Sequence, residues 1–261
     1  MDQRAIGKKK GEGEATLKEQ IRREVMLKLR ESRLTLFPFL PERRIPNFKG
    51  ADAAAEHLFE FDEIRNARLI KCNPDSAQVP FRERALSRGI DLLIATPRLT
   101  DGFMYFNAAE IGTDAHRAAR KGNFEAFSSR IALGELPQPD AVVVGAVAVD
   151  TRGRRCGKGH GYADLECGIL IQMGLEPCPI FSSVHDCQVV PTIPSDDSDL
   201  VLSGVGTPTR SFRTHSGETP WPTLDWTKLD EAQLSAMPLL VELRKMSFSG
   251  QGEGAESHEQ R

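Results

Sequence analysis

The segment RRCGKGHGYADLE, residues 154–166, places glycines at 157, 159 and 161, with Lys158 and His160 between them and Asp164 just beyond. A loop without side chains at three alternate positions can take positive φ and turn its backbone N–H groups toward one anion. A helix that begins where the loop ends adds the positive end of its dipole. Lys158, with Arg154 or Arg155, would neutralise phosphate charge. Asp164, in the first turn of that helix, has two roles open to it: a ligand for Mg²⁺, directly or through water, or a plain capping residue. The spacing is neither GxxxxGK[ST] nor GxGxxG. On these residues alone the loop reads equally as an anion cradle and as a strand-to-helix turn.

Other reactive residue types carry less. His185, Asp186 and Cys187 are neighbours in sequence, and neighbours on a strand point to opposite faces, so adjacency makes no Cys/His dyad of them. Cys156 flanks the loop, but redox sensitivity needs a depressed thiol pKa, and the buried, inert reading is preferred. His160 either touches phosphate when protonated or occupies a polar surface turn. Trp221 and Trp226 read as clasping a C-terminal segment onto the core.

The elements that must position the loop follow from hydrophobic spacing. Leu17, Ile21, Val25 and Leu29 recur every four residues and mark one helix face. IPNFKGADAAAEHLFEF leads into a second helix, ARLIKCN is a strand, VPFRERALSRG a helix closed by Gly89, and DLLIATP the next strand. A polar, helix-like stretch covers residues 114–127. DAVVVGAVAVD then reads as a strand buried on both faces from Val142 to Val149, followed by the glycine loop and a helix YADLECGILIQMG. PIFSSVHD and DLVLSGVG are further strands. This alternation predicts an α/β fold of three layers, a largely parallel sheet flanked by helices. In such sheets ligands bind beyond the carboxyl ends of the strands, where this loop would lie.

The chain has 261 residues, of which 39% are hydrophobic and 27% charged, enough for one sizeable core. We expect a flexible tail over residues 1–15, a folded domain over 16–247 and a second flexible tail over 248–261. No run approaches the ~18 apolar residues that span a bilayer, and the first residues lack the apolar segment of a secretory signal, so the expectation is a cytoplasmic protein without a membrane partner. The five cysteines form no CxxC pair and are read as reduced thiols. A formal net charge of −3 gives no electrostatic case for nucleic acid.

DAVVVGAVAVDTRGRRCGKGHGYADLE resembles the hallmark segment of the 5-formyltetrahydrofolate cyclo-ligase (methenyltetrahydrofolate synthetase) family, in which a strand ending in an acid precedes Gly-Arg-Gly-x-Gly-Tyr-Tyr-Asp. Gly157, Gly159 and Gly161 match its glycines, Lys158 its basic position, Tyr162 and Asp164 its Tyr and Asp, and Asp150 the acid closing the strand. KEQIR resembles the family's Lys-x-x-Leu-Arg helix at Lys18 and Arg22, four residues apart and so on one face. LIATPRLTDGFM, VHDCQVV and IPSDDSDLVLSGVGTPTR resemble further family strands, so the likeness runs over roughly residues 17–212.

The resemblance implies a fold related to sugar-phosphate isomerases and CoA transferases. It also implies a reaction that uses MgATP to phosphorylate the formyl oxygen of 5-formyltetrahydrofolate, after which N10 closes the ring and phosphate leaves. It places ATP on Lys18, Arg22, Arg155, Gly157, Lys158, Gly159, His160, Gly161 and Tyr162, with Lys18 and Lys158 acting in catalysis. Folate falls near Pro97, Met104 and Tyr162, and magnesium on Asp164 and Asp150. Three positions depart from the family pattern: His160 for a small or flexible residue, Ala163 for the second Tyr, and Glu166 for a usually basic residue. These departures resemble a divergent branch, linked in some members to thiamine metabolism. They leave a nucleotide-binding relative with another heterocyclic substrate, or a regulatory one, as the alternative. Oligomeric state is not legible.

Overall fold

The computed structural model describes residues 3–39, 44–96, 99–100, 102–159, 161–195, 199–214, 221–224, 226–229 and 237–249. In chain order its strands are β1 (Leu69–Cys72), β2 (Asp91–Ala95), β3 (Phe103–Phe106), β4 (Ser129–Ile131), β5 (Ala141–Val143), β6 (Ala148–Val149), β7 (Arg155–Cys156), β8 (Ile180–Ser183), β9 (Gly204–Gly206) and β10 (Ser211–Arg213). Among the described residues eight of these form one sheet in the order β10-β9-β8-β5-β1-β2-β3-β4. The five central strands β9, β8, β5, β1 and β2 run parallel, and both edges close with antiparallel pairs.

The helices are α1 (Gln3–Glu31), α2 (Ala51–Leu58), α3 (Asp62–Arg65), α4 (Val79–Ser87), the short α5 (Ala108–Ile111), α6 (Ala115–Ala118) and α7 (Phe124–Phe127), then α8 (Tyr162–Gln172) and α9 (Pro238–Ser249). Because side chains alternate across a strand, the central strands feed two cores. Ile70, Cys72, Leu92, Ile94, Val143 and Phe181 pack beneath α2 and α4, while Leu69, Leu93, Val142, Ile180 and Val205 pack against α8 and α9. The result is helix, sheet, helix: the three-layer α/β arrangement that the strand and helix alternation predicts. Trp221 sits in the second core and donates its indole N–H to the Cys178 carbonyl at 3.0 Å, the clasping role expected of it.

Four readings change. The run Val142–Val149 is not one strand: β5 stops at Val143, and Ala148–Val149 becomes β6 of a separate antiparallel hairpin with β7. Gly145 lies in the break, where a Cβ would stand 2.8 Å from Ile45 and 2.9 Å from the Asp75 carboxylate, so only glycine lets the backbone pass. The stretch 184–188 is a turn and not a strand. His185 caps a 3₁₀ turn at Asp186–Gln188, its ring accepting from the Cys187 N–H at 3.1 Å. Helix α1 begins at Gln3 and takes in residues 3–15 of the expected tail; residues 250–261 of the other tail lie outside the described residues. On α1, Val25 and Leu29 are buried and Ile21 packs beside them, but Leu17 is 47% exposed, so the apolar stripe starts one turn later than its spacing suggests.

Candidate functional site

The β6–β7 hairpin delivers the glycine loop to the carboxyl end of β1 and β5, and α8 begins directly after it. The loop's glycines serve two purposes. Gly159 and Gly161 have φ of +93° and +67°, the left-handed region that side chains disfavour. Gly157 is needed for space, since a Cβ there would stand 2.8 Å from the Arg155 guanidinium.

Cationic groups from three elements meet at this loop. From α1, Arg22 donates its Nε–H to the Gly157 carbonyl at 2.8 Å and its guanidinium covers Gly159. Lys18, one turn earlier, pairs with Asp199 at 2.5 Å. From β7, the nearly buried Arg155 donates to both oxygens of Asp164 at 2.9 and 3.0 Å, and its Nε is buried without a partner. Burial works against that charge, but Asp164 more than offsets it, so the Arg155 pKa is raised above its ordinary value. From the loop itself, Lys158 reaches Asp75 at 3.4 Å and stands over the Tyr162 ring at 5.8 Å. The cavity beside Arg155 and Lys158 is small, about 30 Å³, and is lined by Asn73, Asp75, Arg155, Lys158, Tyr162 and Asp164, among others. In this state each of Lys18, Arg155 and Lys158 is held by a carboxylate. A phosphate group competing for those cations would exchange one anion for another, a smaller electrostatic change than charging an empty site.

Lys18, Arg22, Arg155, Gly157, Lys158, Gly159, Gly161, Tyr162 and Asp164 are thus brought together. Asp150 is not at the cavity. It is buried at the hairpin turn, where its carboxylate accepts the N–H groups of Arg152 and Arg154 at 2.9 and 3.0 Å and of Ile193 at 3.1 Å, a turn-closing role. Met104 packs within the first core, away from the loop cavity. Pro97 and His160 lie outside the described residues. Cys156 is buried and its thiol is pushed up to about 11 by burial, which fits the inert reading.

Spacing alone missed Asp75 and Asp199, the acid partners, and the network behind the loop. Lys71 on β1 is fully buried and pairs with Glu166 on α8, whose carboxylate also accepts from Asn73 at 3.2 Å. Burial pulls the Lys71 pKa down, but the Glu166 carboxylate and the neighbouring Cys167 outweigh it and the net shift is upward. A lysine inside the otherwise apolar strand LIKC already demands such a counter-charge. Glu166, a departure from the family pattern, supplies it.

The fold is that of an α/β protein that presents a basic glycine loop at the carboxyl ends of its parallel strands. Residues 14–208 match the model of the 5-formyltetrahydrofolate cyclo-ligase family, and the chain belongs to that family. A methenyltetrahydrofolate synthase domain-containing protein of Bos taurus is 37% identical over 235 residues, covering 87% of this chain and 62% of the relative. The protein of the same description from Mus musculus is 37% identical over 240 residues, covering 89% and 64%, and that from Homo sapiens 31% over 252 residues, covering 94% and 63%. The chain therefore spans less than two thirds of the length of these relatives. The solved structure of Aquifex aeolicus 5,10-methenyltetrahydrofolate synthetase is similar over 81% of this chain and 98% of that one, at 16% identity and a TM-score of 0.48. Among the described residues no helix is long and apolar enough to cross a membrane.

Proposed function

We propose that the chain catalyses the ATP- and magnesium-dependent conversion of 5-formyltetrahydrofolate to 5,10-methenyltetrahydrofolate, with release of ADP and phosphate. The observation that supports this most is the convergence of Lys18, Arg22, Arg155 and Lys158 on a single glycine loop, within a family of cyclo-ligases. Transfer of a phosphoryl group to the formyl oxygen needs little covalent help, because positioning and neutralisation of the phosphate oxygens supply most of the rate. Lys158 and Lys18 are assigned to the charge that grows on the transferring group. Arg22 and Arg155 bind the remaining phosphate oxygens, with the loop amides behind them and Tyr162 at the rim. Once the formyl carbon is activated, N10 attacks it and inorganic phosphate departs.

Among the described residues no three His, Cys, Asp or Glu side chains converge on one point. That fits a magnesium ion carried mainly by phosphate oxygens with one or two carboxylates, its usual mode in nucleotide sites. Asp164 lines the cavity and is the residue to hold it; the ion would neutralise charge on the phosphates. The second reading, a cyclo-ligase-like nucleotide-binding protein that is regulatory or acts on another heterocycle, thiamine-related chemistry included, is favoured by Ala163, which leaves the cavity wall without the family's second Tyr. Calorimetric titration with a non-hydrolysable ATP analogue tests the shared step. Tight, magnesium-dependent binding is expected, and its absence removes both readings.

A further inference from the structure

Asn73, the residue directly after β1, is fixed at both its backbone and its side chain. Its backbone N–H donates to the Val143 carbonyl at 3.0 Å, and its own carbonyl accepts from Arg82 Nη1 at 2.6 Å. Its Nδ2 donates to Glu166 at 3.2 Å, and its Oδ1 accepts from the Lys71 ammonium at 3.4 Å. A carboxylate only accepts and an ammonium only donates, so these two partners dictate which way round the amide sits. The side chain is buried and lines the glycine-loop cavity together with Arg155, Lys158 and Asp164.

Stability alone does not explain the pair that fixes this amide. Lys71 and Glu166 are both buried, and a buried ion pair contributes little over well-packed apolar residues of the same volume, because desolvating two charges offsets the attraction between them. What the pair does supply is orientation. Were the amide reversed, its oxygen would face the Glu166 carboxylate and its NH₂ the Lys71 ammonium, two repulsive contacts in a buried site. A primary amide carries two N–H groups. Glu166 takes one, and the other has no partner among the described residues, so it remains for a ligand in the cavity.

We infer that Asn73 contacts the nucleotide, its remaining N–H donating to an oxygen of the terminal phosphate, and that Lys71 and Glu166 are positioning residues that keep the amide turned for this contact. The contact rests on the nucleotide reading of the glycine loop. Asn73 comes from the end of β1, a different segment from the loop, and shares the cavity with Lys158 and Asp164, the residues assigned to the transferring group and its magnesium ion. A neutral donor adds a directed bond at that point without adding another charge to desolvate. ADP lacks the terminal phosphate and so does not use the contact.

The test is calorimetry on the full chain with a non-hydrolysable ATP analogue and with ADP, both in the presence of magnesium. The wild type should bind both. Asn73→Ala should weaken the analogue about tenfold or more, the usual size of a hydrogen bond to a charged group, and leave ADP within about twofold. Asn73→Asp, of the same shape with a carboxylate in place of the donor, should do the same and serves where the alanine variant does not fold. Lys71→Met/Glu166→Met should unfold at a midpoint close to that of the wild type yet lose affinity for the analogue alone, because nothing then orients Asn73. A pair with only a structural role predicts instead that this stable variant binds both nucleotides as the wild type does, and that result overturns the positioning role. Asn73 variants that bind the analogue undiminished, or that lose analogue and ADP equally, overturn the contact. A wild type that binds neither nucleotide removes the nucleotide reading and the contact with it, whereas a wild type that binds both while the Asn73 variants match it removes the contact alone.

Discussion

Replacing Glu166 by glutamine isolates the buried pair behind the glycine loop. The two side chains are 0% and 6% exposed, and Glu166 is the sole carboxylate paired with Lys71 among the described residues. In Glu166→Gln the ammonium keeps the Asn73 amide oxygen at 3.4 Å and loses its counter-charge. Breaking one side of a buried pair costs about 3–5 kcal/mol, roughly a fifth or more of a typical stability of about 5–15 kcal/mol. With a urea slope of about 2–3 kcal/mol/M the midpoint falls by roughly 1–2.5 M, read from the fluorescence of Trp221 and Trp226. Replacing both partners in Lys71→Met/Glu166→Met should recover most of the loss, because no charge is then left buried. The pH dependence supplies a second sign. In the wild type the folded-state pKa of Lys71 is raised, so its contribution is complete below the unfolded lysine value of about 10.4 and is lost only as pH rises through the higher folded value. In Glu166→Gln the carboxylate that opposes burial is gone, and burial, the largest influence on Lys71, depresses that pKa, so the unfolded chain binds more protons and stability climbs with pH. The gap between the two proteins therefore narrows toward alkaline pH. A loss below about 1 kcal/mol, or a gap that does not change with pH, would refute this account of the pair.

Other changes separate the roles assigned at the loop. Lys158→Ala should weaken the ATP analogue by about 10- to 100-fold, one charge-assisted phosphate contact, with little change in unfolding midpoint; unchanged affinity in calorimetry removes Lys158 from the site. Asp164→Asn should lower both turnover and stability. The N-cap of α8 is Gly161, and Asp164 neutralises the buried Arg155 while accepting the Leu200 N–H at 3.0 Å, so the stability loss should exceed the ~1 kcal/mol of a lost cap. A variant as stable as the wild type in urea contradicts that. Burial pushes the thiols of Cys72 and Cys156 to about 11 and those of Cys167 and Cys178 to about 12. Iodoacetamide at pH 8 should then label the native protein first at the partly exposed Cys187, read by mass spectrometry, and preferential labelling of Cys156 would restore a reactive role for it.

The parts of the fold carried by short-range patterns could be read from the sequence. Strands β1, β2 and β8 and helices α2, α4 and α8 lie where apolar runs and turn residues place them, because a strand buried on both faces has few alternatives. The break at Gly145 could not be seen. Val144, Ala146 and Val147 continue the β-branched and small character of β5, and only the approach of Ile45 and Asp75 from distant segments forces the chain to turn. The antiparallel edges β3, β4 and β10 are short and were passed over for the same reason: pairing across a sheet fixes them more than composition does. At the site, the loop, Lys18 and Arg22 stand out because glycine and charge spacing are local. Asp75, Asp199 and the partnership of Lys71 with Glu166, 95 residues apart, are tertiary facts. Nothing local in VPFRERALSRG marks Arg82 as buried; that too is a tertiary fact.

The most direct test of the central claim is the reaction itself. Purified protein, MgATP and 5-formyltetrahydrofolate are mixed, and the near-ultraviolet absorbance of 5,10-methenyltetrahydrofolate is followed. The account predicts a rise that requires ATP and magnesium, is stoichiometric with ADP, and is largely abolished in Lys18→Ala, where loss of a cation facing the transferring phosphoryl group costs several kcal/mol of transition-state stabilisation. ATP-analogue binding without any such absorbance over hours would contradict folate as the substrate and leave the other-heterocycle reading in its place.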